Sequence, residues 1–582
     1  KGRFSLVSYK DDKKEDFSPK DYNIRSKVHE YGGLSYVIDK ESLYFVHFSD
    51  QFLYKMDSDG STYPIIEEKN RRFASFVVSK CGKYLFCVME DHTDASDVKN
   101  CLVCIDIKAK SVKILACDDD FYGEVAISPD GKQLAWISWN HPDMPWDSTN
   151  LFIGQIRADG SLEDIQKIAS NPGLSVLTPL FSPDNILYYA CDETGYWNFY
   201  LCDNNQSRIV SRFSADVSEP LWVLGVKRAD FINYQGKTTL ACIYTEEGID
   251  RLALIDVQSG LCSIIDTPFT SISSLRAYKD GVVFIAASPT SISSIIYIDL
   301  VKSTDTVIFS KNKPNIDDTY YSIPIPIKYD TTDGAKAYGI YYPPCNPHFQ
   351  AKEKDSKPPL LVRCHGGPTS HKKAVLDLTH QYFTSRGYGV VEVNYRGSSG
   401  YGKAYREMLF TKWGVACVDD AIYAAMYLIN NDLVSRENIA VIGGSAGGYT
   451  VLAALAFRNF FKAGVSYYGV SDIEALAKET HKFEAHYLDK LIAKEKWKEF
   501  SPIHYVNNIK VPLLILQGKE DKIVPPSQSE AIHHALKKNH IPTTYILFPH
   551  EQHGFRSKEA IMESLKAENK FYHSVFGLEK SV

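Results

Sequence analysis

Gly443-Gly-Ser-Ala-Gly447 sets one serine, Ser445, among glycines at the end of the apolar run Ile439–Ile442. In such a G-x-S-x-G the serine occupies a sharp turn between strand and helix, and side chains at the glycines would collide with those elements. A serine hydroxyl is a poor nucleophile at neutral pH and needs a base. The partners expected for this turn follow in the order acid, then histidine. Asp521 comes after the run Leu513–Leu516, in Gln517-Gly-Lys-Glu-Asp521, and His553 after Tyr545–Phe548, in Pro549-His-Glu-Gln-His553-Gly. Asp521 would orient His553 and stabilise its cation without taking the proton. His550 and Glu520 are the competing imidazole and carboxylate; Gly554 favours His553 by giving it a pliant loop. Acyl transfer also needs donors for the oxyanion. His365-Gly-Gly-Pro368, after Leu360–Arg363, is the loop type that offers a backbone amide beside such a turn. The hole is assigned to the N–H groups of Gly367 and Ala446, since Pro368 has none.

Strands ending in loops must position these groups. Leu360–Arg363, Gly389–Val393, Ile439–Ile442, Leu513–Leu516 and Tyr545–Phe548 are short apolar runs separated by helical patterns such as Asp419–Asn430, Thr450–Phe457 and Ser527–Lys537. Alternating strands and helices imply a parallel sheet covered on both faces, with chemistry at the carboxyl ends of the strands. Residues 1–320 follow another rhythm: short strands with Ser-Pro-Asp turns, as at Ser128-Pro-Asp-Gly131 and Ser182-Pro-Asp184. The units repeat every ~42–53 residues, the range of four-stranded propeller blades. Six are visible, with a pair of β-sandwiches as the alternative. The boundary falls near Asn312–Ser322, dividing the chain into 1–320 and 321–582.

With 582 residues, 44% hydrophobic and 23% charged, the chain has ample core for two domains; its net charge of -6 gives no footprint for nucleic acid. Twelve cysteines in this length do not form a disulfide framework. Cys101 and Cys104, a C-x-x-C within a strand, read as packed thiols, and a reducing, cytoplasmic compartment is expected. The uncharged stretch Ile439–Phe457 is long enough to imitate a membrane span, but its glycines mark a buried strand-turn-helix. The chain starts at Lys1, so a removed leader before it stays open. His481, Glu484 and His486 have no zinc-protease spacing and read as structural. No metal and no cofactor is needed.

With those residues placed, the chain resembles the prolyl oligopeptidase family of serine peptidases, in the branch of acylaminoacyl-peptidases, dipeptidyl aminopeptidases and puromycin-hydrolase-like aminopeptidases. The resemblance rests on His365–Pro368, Asn394–Gly402, Gly443–Tyr449, Asp472–Asp489, Gln517–Pro526 and His553–Arg556, and in the first half on Val28–Gly33 and His141–Asp147. It implies a β-propeller, seven-bladed in the complete protein, capping an α/β-hydrolase domain, with the site between them and the propeller excluding folded proteins. It also implies that Tyr449, Val470, Ile473, Leu476 and Val524 line the pocket for the residue before the scissile bond; core packing explains the same residues. Glu30 is the candidate for lining the cavity near a substrate amine.

The expected activity is hydrolysis of short peptides near their N-terminus, free or acylated, through an acyl-enzyme on Ser445. The expected partners are short peptide substrates, with neither nucleic acid nor membrane; a homo-oligomer stays open. A carboxylesterase with the same triad and a non-catalytic propeller scaffold are the rival readings.

Overall fold

The computed structural model describes residues 3–10, 13–203, 206–310, 314–351 and 356–578. Six four-stranded antiparallel meanders follow one another, starting at Tyr36, Arg71, Phe121, Val176, Ala229 and Ser271, the last ending at Ser310. The first strands of successive meanders lie side by side from Tyr36–Asp39 through Arg71–Val78 and Phe121–Ile127 to Val176–Phe181, and again from Ala229–Tyr234 to Ser271–Tyr278. This is the blade arrangement of a β-propeller.

Local chemistry makes the blades. Second and third strands such as Tyr84–Asp91 and Lys99–Asp106 are buried nearly throughout, whereas no residue of the outer Ser111–Ala116 is buried. The Ser128-Pro-Asp-Gly131 turn is held by Asp130, whose carboxylate accepts from Ser128 Oγ (2.6 Å) and Lys132 N (3.0 Å). Gly131 supplies the left-handed φ of 78° that the turn requires. The outer strands Ser111–Ala116, Leu162–Ala169, Gln206–Ile209 and Cys262–Ile265 escaped the sequence reading because they carry no continuous apolar run. Among the described residues there are six four-stranded blades. A hairpin, Val7–Lys10 with Lys13–Asp16, lies against the last blade, with Tyr9 edge-on to Phe309 at 5.7 Å between centroids. A bridge from Ile24 to His47 then joins the same segment to the first blade.

The cysteine expectation needs one correction. Cys101 is bonded to Cys117, just past the end of the neighbouring strand, so it is not a packed thiol. Cys104 points elsewhere and stays a buried thiol, its pKa pushed up to about 12 by burial.

The second sheet has eight strands. They are β1 (Ile325–Asp330), β2 (Lys336–Tyr342), β3 (Leu360–Cys364), β4 (Gly389–Asn394), β5 (Ile439–Gly444), β6 (Ala463–Tyr467), β7 (Leu513–Gly518) and β8 (Thr543–Phe548). Their spatial order is β1-β2-β4-β3-β5-β6-β7-β8, with only the first two pairings antiparallel. Helices Ala416–Asn430, Ala446–Phe457 and Pro526–Lys538 cover one face, and Leu378–Thr384 and Lys558–Phe576 the other. This is an α/β-hydrolase sheet. β6 was missed from sequence because Ala463-Gly-Val-Ser-Tyr467 has too few bulky apolar residues to stand out.

Buried charges and aromatic rings join the two parts. Arg406 donates to Asp192 (2.7 Å) while its guanidinium lies 4.2 Å from the Trp197 ring. Asp250 is held between Lys373 and Arg228. Trp222 Nε1 donates to Thr369 O (2.7 Å), the Tyr31 hydroxyl donates to Glu484, and Lys490 pairs with Asp147 (3.0 Å). No helix among the described residues is long and apolar enough to cross a membrane.

Candidate active site

β5 ends in the turn at Ser445, whose φ of 57° and ψ of -122° lie outside the ordinary helix and strand regions. The turn is fixed by Ser445 N donating to Tyr467 O (3.0 Å) and Tyr449 N donating to Ser445 O (2.9 Å). Glycine is obligatory around it. A Cβ on Gly447 would lie 2.1 Å from Cys364 O, and one on Gly443 2.4 Å from Gly447 O. Ala446 opens the helix that follows, so its N–H has no acceptor within the helix.

Asp521 and His553 meet above the ends of β7 and β8. Asp521 is 3% exposed. One of its oxygens accepts from Ile523 N (2.9 Å) and Val524 N (3.0 Å), and the other faces His553 Nδ1 at 2.8 Å. A proton on Nδ1 leaves Nε2 as the basic nitrogen. His550 is 93% exposed in its side chain and lies 3.9 Å from Glu520, away from this pair. The Tyr468 ring packs 4.7 Å from the His553 ring, and burial pushes its hydroxyl up to about 12.

The loop after β3 comes directly against the serine turn. A Cβ on Gly366 would lie 3.3 Å from Ser445 Cβ, so the close approach depends on glycine there. His365 anchors the loop: Nε2 sits 2.8 Å from Ser398 Oγ, the ring stacks on Tyr395 at 4.3 Å, and burial pulls the imidazole down to about 4. It is therefore neutral at pH 7.

Two cavities meet at Ser445 and Gly367. The larger, about 620 Å³, is also lined by His553, Tyr468, Tyr31 and Trp222 and reaches back along the sheet to Arg363 and Glu568. The smaller, about 30 Å³, is a narrow slot beside Ala446, walled by Trp413, Val470, Leu476, Tyr487 and Val524, with Glu484 at its edge.

Of the pocket residues named from sequence, Val470, Leu476 and Val524 line the slot. Tyr449 and Ile473 do not. Tyr449 lies one helical turn beyond Ser445 and points inward, with its hydroxyl on Phe500 O (3.0 Å) and its ring 4.1 Å from Trp413. Ile473 is fully buried in the core. Glu30 is held by Arg72 at 2.6 Å and lines neither cavity; its neighbour Tyr31 does. His481 and His486 are drawn apart, His481 beside Tyr31 and His486 paired with Asp489 at 2.8 Å, and among the described residues no cluster could hold a metal. Tyr468, Trp413, Tyr487 and Trp222 were missed. Only Tyr487 left a signal, inside the Asp472–Asp489 stretch; Tyr468 follows β6, which itself does not stand out. The others arrive through long-range packing.

Residues 375–579 match the profile of the prolyl oligopeptidase family. Dipeptidyl aminopeptidase BIII of Pseudoxanthomonas mexicana is 34% identical over 216 residues, covering 35% of this chain and 31% of that protein. The acylamino-acid-releasing enzyme of Arabidopsis thaliana is 30% identical over 231 residues, 37% of this chain and 30% of that one. The matched stretch thus spans about a third of these curated relatives. Among solved structures, a puromycin-hydrolyzing peptidase of Mycobacterium tuberculosis superposes with a TM-score of 0.94 at 33% identity, covering 99% of this chain and 92% of that one. A puromycin hydrolase gives 0.93 at 33% identity, with coverage of 99% and 92%. On a likeness that runs through propeller, sheet and serine turn alike, this chain belongs to the prolyl oligopeptidase family.

Proposed function

We propose that this chain is a serine peptidase that cleaves short peptides near their N-terminus. Ser445 attacks the scissile carbonyl while His553 Nε2 takes its proton, and Asp521 stabilises the imidazolium. The amides of Gly367 and Ala446 receive the oxyanion. His553 then protonates the leaving amine, and water releases the acyl group by the reverse route. The observation that carries this reading is the 2.8 Å Asp521–His553 contact opening onto the same cavity as the strained Ser445 turn. The proposal takes residues 1–320 as the propeller that limits access and 321–582 as the catalytic domain.

Val470, Leu476 and Val524, with Trp413 and Tyr487, would hold the side chain before the scissile bond. Glu484 at the edge of that slot favours a free ammonium over an acylated N-terminus, because a carboxylate there attracts the cation and gives an acyl group nothing. The names of the relatives, aminopeptidases and puromycin hydrolases, support the same end of the peptide. A cytoplasmic setting is supported by the buried thiols Cys87, Cys104, Cys191, Cys242, Cys364 and Cys417. Counting thiols alkylated before and after reduction of the native protein tests it, since the Cys101–Cys117 bond points the other way.

Fluorophosphonate labelling of Ser445, with a chromogenic panel of free, acetylated and dipeptidyl arylamides and the matching esters, tests the function. Labelling with preferential turnover of free-amine arylamides is expected. Ester turnover alone would make the chain a carboxylesterase; no labelling would leave a propeller scaffold.

A further inference from the structure

The larger cavity is asymmetric about the nucleophile. Ala446 and the apolar slot lie to one side of Ser445; His553, Gly554 and Phe555 line the other. The histidine must hand its proton to the departing amine, so the leaving half of the substrate lies on its side. On that side the cavity runs along the face of the sheet opposite the serine helix, to Arg363, Lys372, Glu392 and Glu568. Side chains alternate along β3: Cys364 faces the serine helix, Arg363 the opposite face.

Arg363 is only partly used by the protein. Its Nε donates to Glu392 (3.2 Å), while Nη1 finds no partner among the described residues. Lys372 Nζ has only a loose neighbour in Glu392, at 4.0 Å, and its side chain is 44% exposed. The carboxylates nearby are mostly taken. Glu392 Oε1 also meets His380 Nε2 at 2.8 Å, and its Oε2 has no partner. Glu568 accepts from the hydroxyls of Tyr467 and Tyr572, and burial raises its pKa. His380, held between Asp377 and Glu392, is favoured in its charged form despite burial. Lys372 thus reaches the cavity with spare donors, and Arg363 lines it with a buried, unpartnered Nη1, against one carboxylate oxygen that has no partner.

We propose that Arg363 and Lys372 form a subsite for the C-terminal carboxylate of the leaving peptide, so that the preferred substrates are short peptides with a free C-terminus. The idea rests on the peptidase reading above. A guanidinium edge and a mobile ammonium are the donors that suit a carboxylate, and a chain amide offers no charge to match. β3 also carries the oxyanion loop at His365–Pro368, so an anchored carboxylate aligns the peptide along the strand that holds the hole.

The test compares trialanine with trialanine amide by the rate at which the intact tripeptide is consumed. The native protein should favour the acid in kcat/KM by about tenfold or more, chiefly through KM, and the preference should shrink as salt is raised. In Lys372→Met and in Arg363→Met the acid should lose this advantage and the ratio fall toward one. Should Arg363→Met fail to fold, Lys372→Met carries the test, since that side chain is half exposed. Equal turnover of acid and amide by the native protein, a preference that survives in both variants, a parallel fall for both peptides, or cleavage of arylamides but of neither tripeptide would each overturn the subsite. Failure of the peptidase reading looks different: no hydrolysis of any substrate and no fluorophosphonate labelling.

Discussion

The propeller and the hydrolase sheet solve opposite problems. In the propeller each strand pairs with its sequence neighbour, the same turn chemistry recurs, and six similar units make a wall. In the hydrolase sheet the order β1-β2-β4-β3-β5-β6-β7-β8 brings together residues far apart in sequence, with Ser445, Asp521 and His553 leaving from the ends of β5, β7 and β8. A repeated unit spreads its stability over many equivalent contacts, so single changes on its outside are absorbed. A site at converging strand ends has no second copy of any part. The seam between the two regions is a third case, where buried charges from both sides depend on one another.

That contrast can be broken first at the nucleophile. Ser445→Ala should lower kcat by roughly 10⁴–10⁶-fold while leaving Tm within about 2 °C, because the hydroxyl is on a loop over a packed sheet. Unchanged turnover would remove Ser445 from the chemistry. Asp521→Asn should cost about 10⁴-fold in kcat, since an amide presents the wrong group to His553 Nδ1 and favours the wrong tautomer. A loss under tenfold would show that His553 needs no anionic partner.

The seam comes next. Asp192 and Arg406 are both buried, so Asp192→Ala should destabilise the chain by about 3–5 kcal/mol by leaving the guanidinium unpaired. Urea unfolding would report it, and a change below 1 kcal/mol would mean that the two regions do not hold each other. Acid should act at the same place. Burial pulls His29 and His365 down to about 4 and His371 to about 3, and His29 stacks on Phe483 across the seam at 4.8 Å. These imidazoles stay neutral in the folded chain while those of the unfolded chain protonate near 6.5. The unfolded state then binds more protons, so stability is intact above about pH 7 and declines as pH falls from 6.5 toward 4. Tm should drop by several degrees between pH 7 and pH 5; a level Tm would mean that these rings are protonated or exposed.

Legibility followed the same division. The proposed serine, acid and histidine are marked in the sequence because each stands just past an apolar strand and the turn at the serine carries flanking glycines. Six blades were readable from their turns and inner strands. The slot walls were not. Trp413 lies in no motif, Tyr487 carries no role of its own within Asp472–Asp489, and Tyr449, inside the serine motif, faces the core because one helical turn carries it past the cavity. Glu30 is the cavity candidate on charge, but Arg72 holds it at 2.6 Å and its neighbour Tyr31 lines the cavity instead. Cys101 was misread because its partner, Cys117, lies across a strand pairing whose outer member has no apolar pattern. Sequence motifs fix where the chain turns; which side chain faces the cavity is decided by partners tens of positions away, as Phe500 is from Tyr449 and Arg72 from Glu30.

The smallest expected effect is the sharpest check on the repeat argument. Ile264 lies on the outer strand of the fifth blade, Cys262–Ile265, and is 64% exposed, so its side chain adds little to the buried core. Threonine keeps the β-branched shape that suits a strand edge. Ile264→Thr should therefore move Tm by less than about 1 °C and the free energy of unfolding by no more than about 0.5 kcal/mol, with kcat/KM unaltered. A loss of several degrees would show that the outer strand is covered in solution. The fifth blade would then be an interface, and the propeller could no longer be treated as a wall whose outer face is free to change.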